Sequence, residues 1–259
     1  MMNILALETT GKYGSAAVIN SDGRIFSAVS SEEMNHLKGM IDLIDEAIKK
    51  AGTDKGELTH IAASIGPGSF TGIRIGVTTA RVMSQMLGIP CIGVSSLEGM
   101  AKGVSAAAVS AGAHYIVPVI NARRHQTYAA VYEPAPVSDA AGSLVPVMDE
   151  KQYMIEDLLK DISDRLTEDA GAKAFFTGDG IDAYGDIIRE TLPEGSFIFA
   201  SEDIRYQLAS PVAELALAKA EAGQTVSYSD LMPEYMRLAE AEQRLRAGTL
   251  SDRIRKPVQ

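Results

Sequence analysis

The sequence contains few of the residues that build metal clusters and disulfides. Among its 259 residues there is one cysteine, Cys91, so neither an internal disulfide nor a cysteine-based zinc or iron–sulfur site can form. The four histidines include no pair at the helical spacing of a metal-binding motif, and no HExxH segment is present. They are His36, His60, His114 and His125. We therefore predict no metal centre within this chain.

Long apolar runs and positive charge are also scarce. No stretch approaches the roughly 18 to 20 uncharged apolar residues of a membrane-spanning helix, and the amino terminus lacks the basic region of a secretory signal. We therefore expect a cytoplasmic protein that binds no membrane. The net charge of −10 opposes autonomous binding of nucleic acid. One local exception is the segment 237–256, where six basic residues face three acidic ones; its simplest interpretation is a solvated face.

Hydrophobic periodicity predicts two successive α/β halves. In the first half the predicted strands are 3–8, 15–19, 24–29, 60–65 and 89–94, and the predicted helices are 36–51, 73–87 and one that begins with a capping box at Ser95. In the second half the predicted strands are 115–120, 127–132, 174–177 and 197–200, residues 133–142 are a loop, and helices cover 153–166 and a stretch ending at Leu192. The predicted domains are residues 1–110, residues 111–207, and a closing helix (211–222) with an extended tail, 208–259, that packs back on the first domain.

The segment 66–76, Gly-Pro-Gly-Ser-Phe-Thr-Gly-Ile-Arg-Ile-Gly, is a glycine-rich link from a strand into a helix. Such a link points backbone N–H groups at an approaching anion, although its spacing matches neither the dinucleotide motif nor the P-loop. The alternative is a tight connection whose glycines allow positive φ and close packing. Both interpretations stay open. The candidate residues are Gly66, Gly68, Ser69, Thr71, Gly72 and Arg74.

The turn after the first strand, with Glu8, Thr9 and Thr10, is a second candidate for anion binding. Its hydroxyls and carboxylate could hold phosphate oxygens or a metal-bound water, or form an ordinary polar turn. The turn 178–180, Gly-Asp-Gly, could approach a nucleotide, but turning the chain is its simpler role. No GxSxG motif is present and Cys91 has no sequence-local activating partner, so we predict no catalytic residue.

Two helices of the first half carry wide apolar arcs. Beside a predicted core stripe of Leu37, Ile41, Ile44 and Ile48, the first helix has a second apolar stripe. The second helix has little polar face. Either the helices are buried within their own chain, or they form a helix–helix interface with a partner, for which methionines are well suited. The candidate interface residues are Met40, Leu43, Ala47, Val82, Met83 and Met86.

Four segments of the sequence resemble the TsaB family, also called YeaZ. They are residues 4–10 (Ile-Leu-Ala-Leu-Glu-Thr-Thr), 66–76, 93–97 (Gly-Val-Ser-Ser-Leu) and 233–237 (Pro-Glu-Tyr-Met-Arg). The resemblance implies the ASKHA fold of actin, sugar kinases and Hsp70, an α/β fold with two related domains around a cleft. It also implies a role in making threonylcarbamoyladenosine beside the anticodon of tRNAs that read codons starting with A.

In this family TsaB is the partner of its paralogue TsaD, which holds the metal and transfers the threonylcarbamoyl group from an adenylate that TsaC makes. The metal ligands of TsaD follow an HxxxH pattern, whose two histidines are replaced here by Ser96 and Met100. A hydroxyl and a thioether are poor ligands for the metal that two imidazoles hold. The resemblance thus implies a non-catalytic subunit that binds and activates TsaD.

The same resemblance implies the other partners. TsaE, an ATPase, joins the complex, the chain forms a homodimer when alone, and tRNA is reached only through the complex. The chain has no cofactor of its own, and any ATP or ADP lies at the TsaD contact. Two other functions remain: an ATP-dependent phosphotransferase of the sugar-kinase type that uses the Glu8 turn and the Gly66 loop, and a metal-dependent peptidase, which the missing ligands oppose.

Overall fold

The computed structural model describes residues 2–31, 36–134, 144–169 and 171–236, without the side chains of residues 36–38. The strands of the first sheet are β1 (Asn3–Glu8), β2 (Ser15–Asn20), β3 (Ile25–Val29), β4 (His60–Gly66) and β5 (Cys91–Ser95). The strands of the second sheet are β6 (Tyr115–Arg123), β7 (Gln126–Pro134), β8 (Leu144–Met154), β9 (Ala174–Thr177) and β10 (Phe197–Phe199). The α-helices of the described residues are α1 (His36–Ala51), α2 (Phe70–Leu87), α3 (Ser96–Ser110), α4 (Ile155–Glu168), α5 (Gly180–Thr191) and α6 (Ala209–Glu221).

The second half of the chain repeats the first, element by element. The first sheet has the order β3-β2-β1-β4-β5 and the second, read in the same direction, the order β8-β7-β6-β9-β10. In both sheets the first three strands along the chain are antiparallel neighbours and the last two are added in parallel. A helix follows each of the last three strands of each half. The described chain is therefore a duplicated βββαβαβα unit.

Each sheet is covered on both faces, and the last helix of each half crosses to the other half. Helices α1 and α2 share a core with one face of the first sheet, and α4 and α5 do so with one face of the second. The remaining face of the second sheet is covered by α3, and that of the first sheet by α6. Since α3 and α6 also contact each other, they join the two halves. No helix of the described residues is long and apolar enough to span a membrane.

The sequence predicts two of these helix ends, the stop of α2 at Gly88 and the cap of α3 at Ser95, whereas α2 begins at Phe70 and not at residue 73. Ser69 precedes α2 and its Oγ accepts the N–H of Gly72, while Gly88 ends the helix in the left-handed conformation at φ 67°. Ser95 precedes α3 and accepts the N–H groups of Leu97 and Glu98. These caps set the direction in which both helices leave the ends of β4 and β5.

Strand β8 is absent from the sequence prediction, which has a loop over 133–142 and a helix from residue 153. The structure has a strand over Leu144–Met154, and α4 begins at Ile155. This strand lies at the edge of its sheet and pairs with β7 through shifts in register. Most of its side chains are exposed or half-buried, so no hydrophobic alternation marks it. Residues 135–143 of the predicted loop lie outside the described residues.

The segment after α6 returns along the edge of the first sheet. Val226 pairs with Cys91 of the edge strand β5 through two backbone hydrogen bonds. Leu231 is buried in the core beneath α1 and α2, and the Glu234 N–H donates to the carbonyl of Ile65 at 2.8 Å. This segment, residues 224–236, thus covers the β5 edge of the first sheet and passes beside the start of α2.

Candidate functional site

A buried carboxylate lies where β1 ends and the first turn begins. Glu8 is 1% exposed, and Oε1 accepts hydrogen bonds from the backbone N–H and, at 2.7 Å, the hydroxyl of Thr10. Oε2 accepts the hydroxyl hydrogen bond of Ser64, on the neighbouring strand β4. The Thr10 hydroxyl is in turn hydrogen-bonded to Ser96 Oγ, at 3.0 Å. We call these four residues the Glu8 cluster.

The cluster holds its carboxyl group away from solvent. Burial raises the pKa of Glu8, and hydrogen bonds from Ser64, Thr10 and the Gly11 backbone only partly oppose that increase. Both carboxyl oxygens already accept hydrogen bonds from within the chain. In this arrangement the carboxyl group links β1, β4 and the start of α3, and a ligand has no direct access to it.

The glycine-rich loop packs directly on the first turn. The Ser69 N–H donates to the Thr10 carbonyl at 2.9 Å, and the Thr9 hydroxyl donates to the Gly72 carbonyl at 2.7 Å. The Gly72 N–H donates to Ser69 Oγ at 3.2 Å. Two candidate segments of the sequence analysis therefore form one unit, and backbone groups expected to face an anion are used within it.

The glycines of this loop stand where another backbone passes too close for a side chain. A Cβ atom at Gly72 would collide with the carbonyl oxygen of Thr9, and one at Gly68 would lie 2.6 Å from the carbonyl oxygen of Thr10. A Cβ atom at Gly66 would likewise collide with the backbone of Glu234. Close packing thus accounts for these glycines without a ligand.

Of the remaining loop candidates, Thr71 is exposed in the first turn of α2, and Arg74 is engaged by its neighbours. The Arg74 guanidinium carbon lies 3.9 Å from the ring centre of Phe70, and Nε donates to the Tyr235 hydroxyl at 3.0 Å. The two rings lie 5.0 Å apart. Arg74 therefore fastens the C-terminal segment to α2.

Side chains that precede α6 cover the first turn. Gln207 is 3% exposed, and its side-chain amide lies where a Cβ atom of Gly11 would be. Tyr206 meets Tyr13 edge to face with ring centres 5.8 Å apart, and Lys12 Nζ lies 5.1 Å from the Tyr206 ring centre. Gln207 and Tyr206 thus pack on the first turn, whose residues 11–13 remain half-exposed.

The Gly-Asp-Gly turn at 178–180 is also packed against the protein. A Cβ atom at Gly178 would collide with the Val119 carbonyl oxygen of β6. Asp179 Oδ1 accepts the N–H of Asn121 at 3.0 Å, and burial raises the pKa of Asp179. These contacts are those of a turn that fixes α5 on β6.

The two residues that stand where TsaD has its histidine ligands are buried. Ser96 is 1% exposed and belongs to the Glu8 cluster, while Met100 is 3% exposed and packs in the core beneath α3. Within the described part of the chain, no group of three or more His, Cys, Asp or Glu side chains could hold a metal ion. His60, His114 and His125 lie on different elements or loops.

The apolar arc of α1 is rotated relative to the sequence prediction. The side chains that face the sheet follow the helical repeat i, i+3, i+4, i+7, i+8, and these are Met40, Leu43, Ile44, Ala47 and Ile48. Ile41, predicted in the core stripe, is 59% exposed. The predicted division into a core stripe and a partner-facing stripe is therefore wrong, because the second stripe shares the buried face with Ile44 and Ile48, and Ile41 lies outside that face. The side chain of Leu37 lies outside the described residues.

On α2 the candidate interface residues separate into two groups. Met83 packs against the core of the first half. Val82 is 48% exposed and Met86 81% exposed. We call Val82 and Met86 the α2 patch. The structure thus leaves only these two of the six candidate interface residues on the surface.

Several residues of the site have no sequence signal that identifies them. Ser64 lies 56 residues from Glu8, and Gln207 is nearly two hundred residues from the turn that it covers. Tyr235 meets α2 from a segment 161 residues away from Arg74. Only the Pro-Glu-Tyr motif, part of the family resemblance, marks this last contact.

Comparison with known proteins places these features in a family. A family model described as TsaD, tRNA N6-adenosine threonylcarbamoyltransferase, matches residues 29–252. The tRNA threonylcarbamoyladenosine biosynthesis protein TsaB of Bacillus subtilis (strain 168) is 28% identical over 93% of this chain and 96% of its own length. A tRNA N6-adenosine threonylcarbamoyltransferase of Chlorobium limicola is 34% identical over 38% of this chain and 31% of its own length.

The solved structure of YeaZ from Pseudomonas aeruginosa superposes with a TM-score of 0.71 at 23% identity, covering 91% of this chain and 100% of that chain. A second solved structure, of a protein from the same organism described as similar to peptidase YeaZ, has a TM-score of 0.73 at 24% identity. The ASKHA-type fold predicted from the sequence is confirmed by the duplicated topology and by these structures. The chain belongs to the family of the matched TsaD model and, within it, to the TsaB (YeaZ) group.

Proposed function

We propose that this chain takes part in tRNA threonylcarbamoyladenosine biosynthesis as a non-catalytic subunit that binds and activates TsaD. The names of its full-length TsaB relatives support the pathway. The observation that carries the subunit role is the α2 patch, where Met86 is 81% exposed on a helix whose opposite face is fully buried. An exposed methionine beside an exposed valine is typical of a surface that a partner covers.

The contacts of the residues at positions where a catalytic group would be expected support a non-catalytic role. Ser96 and Met100, which replace the histidine ligands of TsaD, take part in internal hydrogen bonding and core packing. Glu8 is enclosed by hydroxyl groups of its own cluster. The subunit therefore supports the reaction by holding TsaD in its active form, and TsaE joins the same complex. tRNA is bound by the assembled complex.

The phosphotransferase alternative needs a nucleotide above the first turn. Gln207 and Tyr206 pack on that turn, and the backbone N–H groups of Ser69 and Gly72 donate within the chain. These contacts favour our proposal that any ATP or ADP of the complex lies at the contact with TsaD. Isothermal calorimetry with the isolated chain should detect no ATP binding at millimolar concentration; binding and turnover would favour the kinase.

A reconstituted modification assay tests the proposed function directly. Unmodified tRNA is incubated with TsaC, TsaD and TsaE, with and without this chain, and one further reaction contains this chain without TsaD. We expect modification only when TsaD and this chain are both present. Full modification without this chain would show that the subunit role is wrong.

The interface is tested by placing a charge in the α2 patch. Covering Val82 and Met86 should contribute roughly 2–4 kcal/mol, from about 1.5–3 kcal/mol for each fully buried apolar side chain scaled by the exposed fractions. The double variant Val82→Glu/Met86→Glu should therefore bind TsaD about 30- to 700-fold more weakly. Because both side chains are largely exposed, its unfolding temperature should stay close to that of the parent.

The matched control is Val145→Glu, since Val145 of β8 has the same exposed fraction, 48%, as Val82. It should bind TsaD normally. We propose that the isolated chain forms a homodimer through the same α2 patch, so light scattering should find the double variant monomeric. Normal TsaD binding by the double variant would place the interface elsewhere.

A further inference from the structure

Negative charge is concentrated in the second half of the chain. Residues 111–207 contain 17 acidic and 8 basic residues, so they carry nine of the ten net negative charges. A half with this balance repels nucleic acid over most of its surface. Any contact that it makes with a polyanion must come from a local group of cations.

One such group is the turn between β6 and β7. Arg123, Arg124 and His125 are consecutive, exposed, and all in the left-handed region, with φ of 65°, 54° and 61°. Residues with a Cβ atom rarely adopt this conformation, and hairpin turns that need it normally use Gly, Asn or Asp. Three strained residues in succession indicate that the side chains, which glycine lacks, have a use at this position.

The surrounding structure holds the turn in this shape. Asn121 Oδ1 accepts the N–H of Arg123 at 2.8 Å and lies 3.0 Å from the Tyr184 hydroxyl of α5. The carbonyl of His125 accepts the N–H of Ile155, the first residue of α4, at 2.9 Å. The turn is thus hydrogen-bonded to two helices, the start of α4 and the second turn of α5, which hold its arginines on a rigid support.

Three acidic side chains near the starts of α4 and α5 have partners of their own. Glu156 pairs with His125 at 2.9 Å, and Asp182 pairs with Arg205 at 3.1 Å. Asp179 accepts a backbone N–H of β6. Among the residues that the structure describes, neither arginine of the turn forms an ion pair, although this half of the chain is rich in acids. Their guanidinium groups therefore remain available to an external anion.

We propose that Arg123 and Arg124 contact the phosphate backbone of the tRNA bound by the complex. The inference rests on the proposed function, which brings a tRNA to this subunit. Guanidinium groups bind phosphate oxygens in a bidentate manner, and two adjacent ones can neutralise neighbouring phosphates. The α2 patch assigned to TsaD lies in the other half of the chain, so the turn is a surface separate from that contact.

The test uses the full complex of TsaD, TsaE and this chain with fluorescently labelled, unmodified tRNA, titrated over a series of salt concentrations. The double variant Arg123→Gly/Arg124→Gly should weaken tRNA binding about tenfold and lower the slope of log K against log salt by about 2, or about 1 per arginine. The variant Arg123→Lys/Arg124→Lys keeps both charges and should retain the slope.

Glycine is chosen because it relieves the left-handed conformation. The unfolding temperature of the double glycine variant should therefore equal or exceed that of the parent, which separates loss of contact from loss of fold. The matched control is Arg24→Gly in the β2–β3 turn, where an exposed arginine pairs with Asp22 at 2.7 Å. Arg24→Gly should leave the tRNA affinity unchanged, whereas Arg124→Gly alone should weaken it.

Each of three distinguishable outcomes would overturn either the RNA contact of the arginines or the proposed function. If the glycine variant assembles with TsaD and binds tRNA with the parental affinity and salt slope, the arginines make no RNA contact. If the variant loses TsaD itself, the turn is a protein contact and the RNA proposal is equally wrong. If the parental chain does not assemble with TsaD, the proposed function fails first.

Discussion

Gly72 distinguishes the two interpretations of the glycine-rich loop. If the loop binds an anion, Gly72→Ala should impair a ligand contact and leave the fold intact. If the glycine exists for close packing, the same change should destabilise the protein, because the new Cβ atom would collide with the carbonyl oxygen of Thr9. That oxygen belongs to backbone, which a rotamer change cannot move. The structure supports destabilisation.

The expected loss follows from the contacts that must separate. Moving α2 away from the first turn breaks the Thr9 hydroxyl bond to the Gly72 carbonyl, 2.7 Å, and strains the Ser69 bond to the Thr10 carbonyl, 2.9 Å. Each buried polar group left without a partner costs about 1–3 kcal/mol. The gain in helix propensity from glycine to alanine, at most about 1 kcal/mol, does not compensate. We expect Gly72→Ala to lower the free energy of unfolding by about 2–4 kcal/mol.

Urea and thermal unfolding measure this difference. At about 2–4 °C per kcal/mol for a chain of this size, the unfolding temperature should fall by roughly 4–16 °C. The control is Gly39→Ala within α1, where no atom lies within 4 Å of the added Cβ. It should stabilise the protein by about 0.5–1 kcal/mol. A Gly72→Ala protein as stable as the parent would refute close packing and return the loop to consideration as an anion site.

Three further predictions concern groups around the same site. Because burial raises the pKa of Glu8, its protonated form adds stability that is fully present below about pH 4.5 and is lost as pH rises through the native pKa. In urea unfolding, Glu8→Gln should abolish this loss of stability across that pH range. Parallel pH profiles of the variant and the parent would contradict the prediction. Gly11→Ala should destabilise the parent more than it destabilises a Gln207→Ala variant. A double-mutant cycle should give a coupling energy of about 0.5–3 kcal/mol, and no coupling would mean that the two residues do not pack. Arg74→Ala removes the contacts to a ring and a hydroxyl and should increase proteolysis after Tyr235, whereas unchanged cleavage would show that the arginine does not hold the segment.

Local signals made most of the fold predictable from the sequence. Gly88 and the Ser95 cap of α3 act within a few residues and mark the predicted end of α2 and start of α3, whereas the Ser69 cap starts α2 three residues before the predicted position. Strand β8 could not be recognised because an edge strand buries few side chains and leaves no periodic pattern. The wrong core stripe on α1 has a different cause. This helix has apolar residues on both sides of Ile44, and the sequence does not show which of them the sheet covers.

The candidate site was harder to predict because its contacts join distant parts of the chain. Glycines in the loop were recognisable, but their purpose depends on where Thr9 and Thr10 lie in space. The covering of the first turn by Gln207 follows from the crossing of α6 to the other half, which no local pattern encodes. Sequence therefore located the loop and the turn, and only the packed structure distinguishes between a ligand site and an internal contact.

The duplicated fold gives its two halves corresponding turns with different surroundings. In each half the turn that follows the first strand of the unit lies beside the helices packed on its sheet. In the first half, Gln207 and the Glu8 cluster pack against that turn. In the second half, the corresponding turn carries exposed arginines on a rigid support. In the proposed function, the α2 patch and the β6–β7 turn give this chain one apolar and one cationic contact, in different halves of its sequence.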